Sequence, residues 1–221
     1  GRLAMKVSPE ILKSLGKDVE VLLVTGTNGK TTSARMLEQA FVDTDKSYFS
    51  NKSGSNLIQG ITSDFAVNTT FFGKSNKKYA VIECDEAASK EVIRLVKPKV
   101  ILVTNVFRDQ LDRFGEITHT LENIYTGLSN APDATICLNA DCSLTSSLAK
   151  RLPNKICFYG VDVPLYEKPA QEVSDALHCI ECKNEYKYTY KTYGHLGGFY
   201  CENCGYKRQK CNVSVCDVLE Q

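Results

Sequence analysis

The feature that most constrains the fold of this chain is a short glycine-containing loop, GTNGKTT, at residues 26–32. A β-branched run at 20–25 precedes the loop, and a segment whose apolar residues recur at helical spacing, 31–41, follows it. Glycines let backbone N–H groups approach phosphate oxygens closely, and the amino end of a helix favours an anion at the same place. The loop therefore predicts a phosphate-binding turn between a strand and a helix.

The loop also predicts roles for its side chains. Lys30 can reach the β and γ phosphates of a nucleotide, and the hydroxyl of Thr31 is placed for Mg²⁺. The longer phosphate-loop pattern, G-x-x-x-x-G-K-[ST], expects its first glycine where this chain has Val24, so the motif is a shorter form. The predicted nucleotide-binding residues of the loop are Thr27, Asn28, Gly29, Lys30, Thr31 and Thr32.

Short apolar runs alternate with helical segments from residue 20 to residue 159. The predicted strands are 20–25, 79–83, 100–104, 134–138 and 156–159, and the predicted helices are 31–41, 87–96, 117–128 and 143–152. This alternation predicts an α/β fold of the P-loop type, with a mostly parallel sheet and helices on both faces. Ligands of such sheets bind beyond the carboxyl ends of the strands.

Polar residues follow two of these strands directly. Glu83 ends the run at 79–83, where a carboxylate can complete the oxygen shell of Mg²⁺. Asp85 and Glu86 come next and leave two roles open: a part in the site, or acids that complement the dipole of the following helix. Asn139 and Asp141 follow the run at 134–138, although an Asn/Asp turn after a strand is common by itself.

Four of the ten cysteines form two CxxC pairs, Cys179 with Cys182 and Cys201 with Cys204. Their spacing is that of a zinc ribbon, and four thiolates suit tetrahedral Zn²⁺ in a closed structural site. Lysines and tyrosines interleave between the pairs, a composition that can bind nucleic acid. The net charge of +1 favours instead a solvated hairpin whose tyrosines pack a small core.

In their order along the chain, these motifs resemble those of the Mur ligase family. The order is GTNGKTT, Asn56 in SGSNLIQGI, Glu83 in IECDEAA, the segment TNVFRDQLDRFGE, Asn139 in LNAD, and the four-cysteine insertion. The segment VTNVFRDQLDR and the insertion are typical of the MurT-type subgroup, the ligase-like subunits of lipid II isoglutaminyl synthases. Where Mur ligases at large carry a metal-binding histidine in N-x-x-x-D-H-x-D, this chain has Gln110, a weaker ligand for Mg²⁺.

The resemblance implies an ATP-dependent carbon–nitrogen ligase that uses Mg²⁺. In this subgroup ATP activates the α-carboxylate of D-glutamate in the lipid II stem peptide, and ammonia from a GatD-type glutaminase, the partner in a heterodimer, then forms isoglutamine. Lys30 and Glu83 would be the catalytic residues, and Thr31, Glu83 and Gln110 the magnesium ligands. Asn139 and Asp141 would contact the adenine of the nucleotide.

The resemblance also sets the expected domain organisation. Residues 1–165 would form the Mur-ligase-like ATP-binding domain, and 166–221 the zinc-ribbon insertion with the start of the continuing central domain. We expect the family's C-terminal ligase domain to be absent from this chain, so that the fragment alone would be inactive.

We expect a cytoplasmic protein that works at the inner face of the plasma membrane. The N-terminus carries no apolar signal-peptide core, and no apolar stretch approaches the roughly 20 residues of a membrane span. Its lipid-linked substrate would be its only link to the membrane, and we expect no nucleic-acid partner.

Besides a purely regulatory nucleotide-binding module, two alternative functions stay open. One is another Mur-type or folylpolyglutamate-type ligase, against which the four-cysteine ribbon argues. The other is a nucleotide- and zinc-binding nucleic-acid module, which would need a basic face and further ATPase motifs that we do not find in the sequence.

Overall fold

A parallel β-sheet forms the centre of the computed structural model, which describes residues 1–51, 54–107, 116–163 and 176–217. The seven strands of this sheet are β1 (Glu20–Thr25), β2 (Tyr48–Ser50), β3 (Tyr79–Glu83), β4 (Val100–Val103), β5 (Thr135–Asn139), β6 (Ile156–Val161) and β9 (Val213–Val215). Their spatial order is β2-β3-β1-β4-β5-β6-β9, and every neighbouring pair is parallel. The predicted fold class is confirmed.

Helices connect the strands. They are α1 (Arg2–Val7), α2 (Ile11–Leu15), α3 (Lys30–Asp43), α4 (Ile58–Val67), α5 (Glu86–Val96), α6 (Glu116–Ser129) and α7 (Ser143–Ser147). The predicted helices at 31–41, 87–96 and 117–128 are confirmed. The fourth prediction, 143–152, was too long, because the α-helix ends at Ser147 and a single 3₁₀ turn, Leu148–Lys150, follows it. Helices α1, α2 and α4 and strands β2 and β9 were not predicted from the sequence.

Alternating side chains of β1 show how the sheet is covered on both faces. Val21 and Leu23 point into the larger core, which includes residues of α4 and α5. Val24 points to the other face and packs with Ala34 and Phe41 of α3. Because side chains of a strand alternate between faces, a central strand buried on both sides must be apolar at nearly every position, as the sequence EVLLVT is.

The four-cysteine segment is inserted between two strands that are neighbours in the large sheet. It contains β7 (Lys187–Tyr193) and β8 (Leu196–Tyr200), which pair antiparallel to form the ribbon's hairpin. After the ribbon, β9 returns to the large sheet and pairs with β6. Among the described residues, no helix has the length and apolar composition needed to cross a bilayer.

We predict that Phe65→Ala destabilises the fold by about 3–5 kcal/mol, because the ring fills the core and its removal leaves a cavity. Phe65 lies on α4, is 1% exposed, and packs edge-on against Phe49 at a centroid distance of 5.0 Å. Urea unfolding measures the change in the free energy of unfolding. The control is Phe71→Ala, at a ring that is 99% exposed, where we expect a change within about 0.5 kcal/mol. Equal effects of the two variants would contradict this packing.

Candidate functional site

The phosphate loop turns sharply between β1 and α3. Gly26 has a φ of +119° and Gly29 a φ of +80°, backbone conformations that other residues rarely adopt. Gly29 is the N-cap of α3, so the first N–H groups of the helix lack intrahelical partners and face the loop. Free N–H groups and the positive end of the helix dipole together make an anion site.

Asn105, in the loop after β4, braces the phosphate loop from the neighbouring strand. The side-chain oxygen of Asn105 accepts a hydrogen bond from Asn28 N at 3.0 Å, and its Nδ2 donates to Asn28 O at 3.1 Å. Thr27 N donates to Asn105 O at 2.9 Å, and the Thr27 hydroxyl bonds the backbone of Phe107. The sequence analysis quoted this segment without giving Asn105 a role. Its position directly after a strand was the available signal.

Lys30 lies folded over its own loop. Its Nζ donates to Gly26 O at 2.5 Å and Thr27 O at 3.0 Å, and it forms an ion pair with Glu86 Oε2 at 3.4 Å. Both side chains of the pair are largely buried. Phosphate oxygens at this place would offer Lys30 the same acceptor chemistry that the carbonyls and Glu86 now supply.

A cavity of about 330 Å³ brings Thr31 and Glu83 together, the two residues predicted to hold Mg²⁺. The cavity lies beside the amino end of α3, and Arg35 and Glu38 of that helix also line it. Hydroxyl and carboxylate oxygens are the ligands that Mg²⁺ prefers. Gln110, the third predicted magnesium ligand, lies outside the described residues.

Asn51, at the end of β2, holds the backbone of Glu83 in place. Its Nδ2 donates to Glu83 O at 2.7 Å, and its side-chain oxygen accepts from Glu83 N at 2.8 Å. Asn51 is buried, and its Nδ2 also donates to Ser55 O at 3.0 Å. The side-chain amide thus continues the hydrogen bonding between β2 and β3 by one residue. It fixes the backbone position from which the Glu83 side chain extends.

The two acids after Glu83 have different roles. Asp85 is the N-cap of α5, and its carboxylate accepts from Ala87 N at 2.9 Å. Glu86 begins the helix and pairs with Lys30. Of the two roles that the sequence left open, Asp85 therefore has the helix-terminal one, and Glu86 contacts the phosphate loop.

Asn139 and Asp141, predicted to contact adenine, are engaged within the protein. Asn139 Nδ2 donates to Thr104 O at 2.9 Å, and its side-chain oxygen accepts from Asp141 N at 2.9 Å. The Asp141 carboxylate forms an ion pair with Arg208 Nε at 2.6 Å and accepts from Val161 N at 2.8 Å. Both residues are buried. They lie at the carboxyl edge of the sheet as predicted from their position, but their side chains organise the loop there.

The tip of the ribbon's hairpin reaches this same edge of the sheet. His195 is fully buried, its Nε2 lies 3.7 Å from Cys142 Sγ, and its ring packs on Phe107 at a centroid distance of 4.3 Å. Burial raises the pKa of the Cys142 thiol, but the hydrogen bond and charge of His195, together with backbone hydrogen bonds from Thr145 and Val106, lower that pKa to about 7. Phe107 in turn bonds Thr27, so contacts run continuously from the ribbon to the phosphate loop.

The four predicted metal-ligating cysteines converge at the base of the ribbon. The sulfur atoms of Cys179, Cys182, Cys201 and Cys204 all lie within 4.8 Å of one another. Two of the separations are 3.5 Å (Cys179 to Cys204) and 3.4 Å (Cys182 to Cys201). Tetrahedral Zn²⁺ with bonds of about 2.3 Å requires sulfur–sulfur distances of roughly 3.8 Å, so the donor set fits zinc.

Aromatic side chains pack beside the cysteines. Tyr186, Phe199 and Tyr206 form a small buried cluster with Cys179 and Cys201. The Tyr206 hydroxyl donates to Ser143 O at 2.9 Å and joins this cluster to the α/β domain. Tyr186 and Tyr206 are therefore used in packing, as expected for a hairpin whose tyrosines form a core, and their faces are not available to stack on bases.

Comparison with known protein families and curated proteins shows where this sequence belongs. Residues 24–204 match the family described as Mur ligase middle domain. The MurT subunit of lipid II isoglutaminyl synthase (glutamine-hydrolyzing) from Streptococcus pneumoniae is 35% identical over all of this chain and 48% of the relative's length. The protein of the same name from Staphylococcus aureus is 33% identical over 97% of this chain and 48% of the relative. The chain thus spans about half the length of these relatives.

Solved structures share the fold. A pseudomurein peptide ligase type C from Methanothermus fervidus superposes with a TM-score of 0.70 and 23% identity, over 91% of this chain and 39% of that one. MurF ligase from Thermotoga maritima, solved in complex with ADP, superposes with a TM-score of 0.52 and 19% identity, over 69% of this chain and 35% of that one.

We predict that Gly26→Ala abolishes measurable nucleotide binding. A Cβ at this position would lie 2.3 Å from Thr104 Oγ1 and 2.8 Å from Asn105 O, so the phosphate loop would have to leave its brace. Isothermal titration with a non-hydrolysable ATP analogue measures the affinity. Gly73→Ala is the control: its φ of +79° also disfavours a side chain, by about 1–2 kcal/mol, but an added Cβ there meets no atom within 4 Å. Unchanged affinity in Gly26→Ala would contradict the proposed site.

Proposed function

This chain belongs to the Mur ligase family, and from that premise we propose that it is the nucleotide-binding part of an ATP-dependent amide ligase of peptidoglycan synthesis. The observation that carries the proposal is the arrangement at one edge of the sheet. Lys30 lies in the phosphate loop, and Thr31 and Glu83 share the neighbouring cavity. A nucleotide phosphate chain, a cation and an acceptor carboxylate are the three components that such an edge would have to hold.

Each residue has a chemical task in this proposal. The loop N–H groups and Lys30 bind the β and γ phosphates and stabilise the charge on the phosphoryl group during its transfer. Lys30 would exchange its bonds to Gly26 O, Thr27 O and Glu86 for bonds to phosphate. Thr31 and Glu83 would hold Mg²⁺, with Gln110 as a further ligand, and the cation would neutralise phosphate charge. Lys30 and Glu83 are thus the proposed catalytic residues.

The proposed reaction is amidation of a carboxylate. The α-carboxylate of D-glutamate in the lipid II stem peptide attacks the γ phosphorus of ATP, and the bond to the bridging oxygen breaks to release ADP. Ammonia then attacks the acyl carbon, phosphate leaves, and loss of a proton gives isoglutamine. The names of the relatives from Streptococcus pneumoniae and Staphylococcus aureus support this substrate and the hydrolysis of glutamine.

The partner in this proposal is a GatD-type glutaminase that supplies the ammonia. The relatives are named as subunits, which supports a complex. Lipid II places the reaction at the cytoplasmic face of the plasma membrane. The adenine base would lie near Asn139 and Asp141, held by the loop backbone because both side chains are already bonded.

We also propose that residues 1–165 are the ATP-binding domain and that 166–221 carry the ribbon insertion and the continuation of the central domain. The return of β9 to the sheet after the ribbon supports this division. Zn²⁺ in the four-cysteine cluster would stabilise the ribbon, since two knuckles joined only by a two-stranded hairpin bury little apolar surface by themselves.

The test of the ligase proposal uses the full-length product of the reading frame that contains this chain, mixed with a GatD-type glutaminase, glutamine, ATP, Mg²⁺ and lipid II. Mass spectrometry should show a loss of about one mass unit per stem peptide, and Lys30→Ala should slow this by at least about a hundredfold, because a charge-stabilising donor is lost.

Lys17→Ala, at an exposed lysine outside the loop, is the matched control and should retain activity. Hydrolysis of ATP without amidated lipid II would overturn the proposed substrate, and amidation without ATP would overturn the ligase proposal.

For the four-cysteine cluster we predict one zinc ion per chain by atomic emission of the purified protein. Cys201→Ser should lose that zinc and lower the melting temperature, because three thiolates no longer close a tetrahedral site. Cys216→Ser, at an exposed cysteine outside the cluster, should keep both properties. Equal zinc content in the two variants would contradict the assignment.

A further inference from the structure

We propose that the loop between α4 and β3 docks this protein on an anionic membrane surface through two exposed phenylalanines, a direct contact beyond the lipid-linked substrate that the sequence alone led us to expect as the only link. Phe71 is 99% exposed and Phe72 is 93% exposed. Their rings contact each other edge-on at a centroid distance of 5.8 Å and form one apolar tip. A single exposed apolar residue is ordinary, but two adjacent fully exposed rings keep a large apolar area in water with no gain to the fold.

The backbone of this loop, which we call the FF tip (residues 69–76), holds the rings outward. Thr70 N donates to Lys74 O at 2.8 Å and Gly73 N donates to Thr70 O at 2.9 Å, which closes a tight turn around the two phenylalanines. Asn76 N donates to Asn68 O at 2.8 Å below it. Because the turn is closed by its own hydrogen bonds, the backbone that carries the rings cannot fold back onto the sheet without breaking them.

Positive charge surrounds the FF tip. Lys74, Lys77 and Lys78 follow the rings, and the segment 67–78 contains no aspartate or glutamate. Lys46 and Lys78 both lie over the ring of Tyr79, so a fourth ammonium group is close by. Two acids accompany this group: Glu20 is paired with Lys78 at 3.7 Å in an exposed position, and Asp45 directly precedes Lys46 in the chain. Apolar rings framed by lysines match a bilayer whose interface is apolar below and anionic above.

The same charges disfavour a second copy of this chain as the occupant. In a twofold dimer built on the FF tip, the lysines of one copy would face the lysines of the other, and like charges at short distance repel. A membrane offers the opposite charge at the depth where the rings would enter. The charge pattern therefore favours the lipid surface over a second copy of the chain.

The position of the FF tip keeps this surface separate from the nucleotide site. The tip precedes β3, so it lies at the amino edge of the parallel sheet, whereas the phosphate loop follows the carboxyl end of β1. A five-residue strand separates the two edges by roughly 16 Å. Membrane contact and nucleotide binding should therefore be separable by mutation, and this inference stands whether or not the proposed ligase reaction is correct.

The test is sedimentation of this chain, loaded with zinc, with vesicles of phosphatidylcholine alone or mixed with phosphatidylglycerol. We expect binding to the mixed vesicles that weakens with salt. The double variant Phe71→Ser/Phe72→Ser should bind at least about tenfold more weakly, from the lost apolar transfer. Lys74→Gln/Lys77→Gln should lose about fivefold per lysine. Both should keep the melting temperature and nucleotide affinity of the parent.

The matched control replaces two exposed apolar residues elsewhere, Met36→Ser/Val42→Ser on α3, and should bind vesicles as the parent does. A second measurement uses the absence of tryptophan from the chain. The single tryptophan of Phe72→Trp should shift its emission to the blue on mixed vesicles, and that of Met36→Trp should not.

Three results would overturn the proposal. One is no sedimentation with phosphatidylglycerol vesicles. Another is parent-like vesicle binding by the Phe71→Ser/Phe72→Ser variant. The third is self-association that depends on these phenylalanines and is measured by analytical ultracentrifugation without lipid, which would assign the FF tip to a second copy of the chain.

Discussion

The candidate site depends on the close approach of two loops, those that follow β1 and β4. The approach requires a residue without a side chain at position 26, since a Cβ there would overlap Thr104 and Asn105. With that atom absent, the side-chain oxygen and nitrogen of Asn105 bond the backbone N–H and carbonyl of Asn28. The loop after β4 thus holds the phosphate loop. Parallel pairing of β1 with β4 brings the two loops to one edge, and the loop N–H groups keep their direction because the brace is rigid.

The repeating pattern of the sequence was sufficient for the fold and for part of the site. Runs such as EVLLVT are too apolar for a half-exposed strand and so predicted a sheet covered on both faces. The residues at and after the ends of these runs, including Lys30, Thr31 and Glu83, lie at the carboxyl edge of the sheet. The roles of Asn51 and Asn105 could not be predicted from the sequence, for a physical reason. The amide of Asn51 bonds the backbone of β3 and that of Asn105 bonds the backbone of the loop after β1. The strand order β2-β3-β1-β4 that brings these partners together cannot be deduced from local periodicity.

The ribbon is the part whose position in the fold could not be predicted from the sequence. Its spacing predicted a closed cysteine site, and its tyrosines a small core, but nothing in the spacing placed it on the sheet. The ion pair between Asp141 and Arg208 joins residues far apart in the chain, as does the contact of Cys142 with His195. Both Asp141 and Cys142 lie in the loop after β5. The ribbon thus buttresses the loop that the motif LNAD had predicted to contact adenine.

The insertion of the ribbon between β6 and β9 has a consequence for how a newly made chain assembles. These strands are neighbours in the sheet, yet residues 162–212 separate them, and the cost of closing such a loop rises with its length. The proposed zinc ion, by joining the two knuckles, would remove about half of the free chain from that loop. Pairing of β9 would then be tied to the metal supply. A chain made without zinc would leave the edge of β6 uncovered for longer, and open strand edges are where chains pair with one another and aggregate.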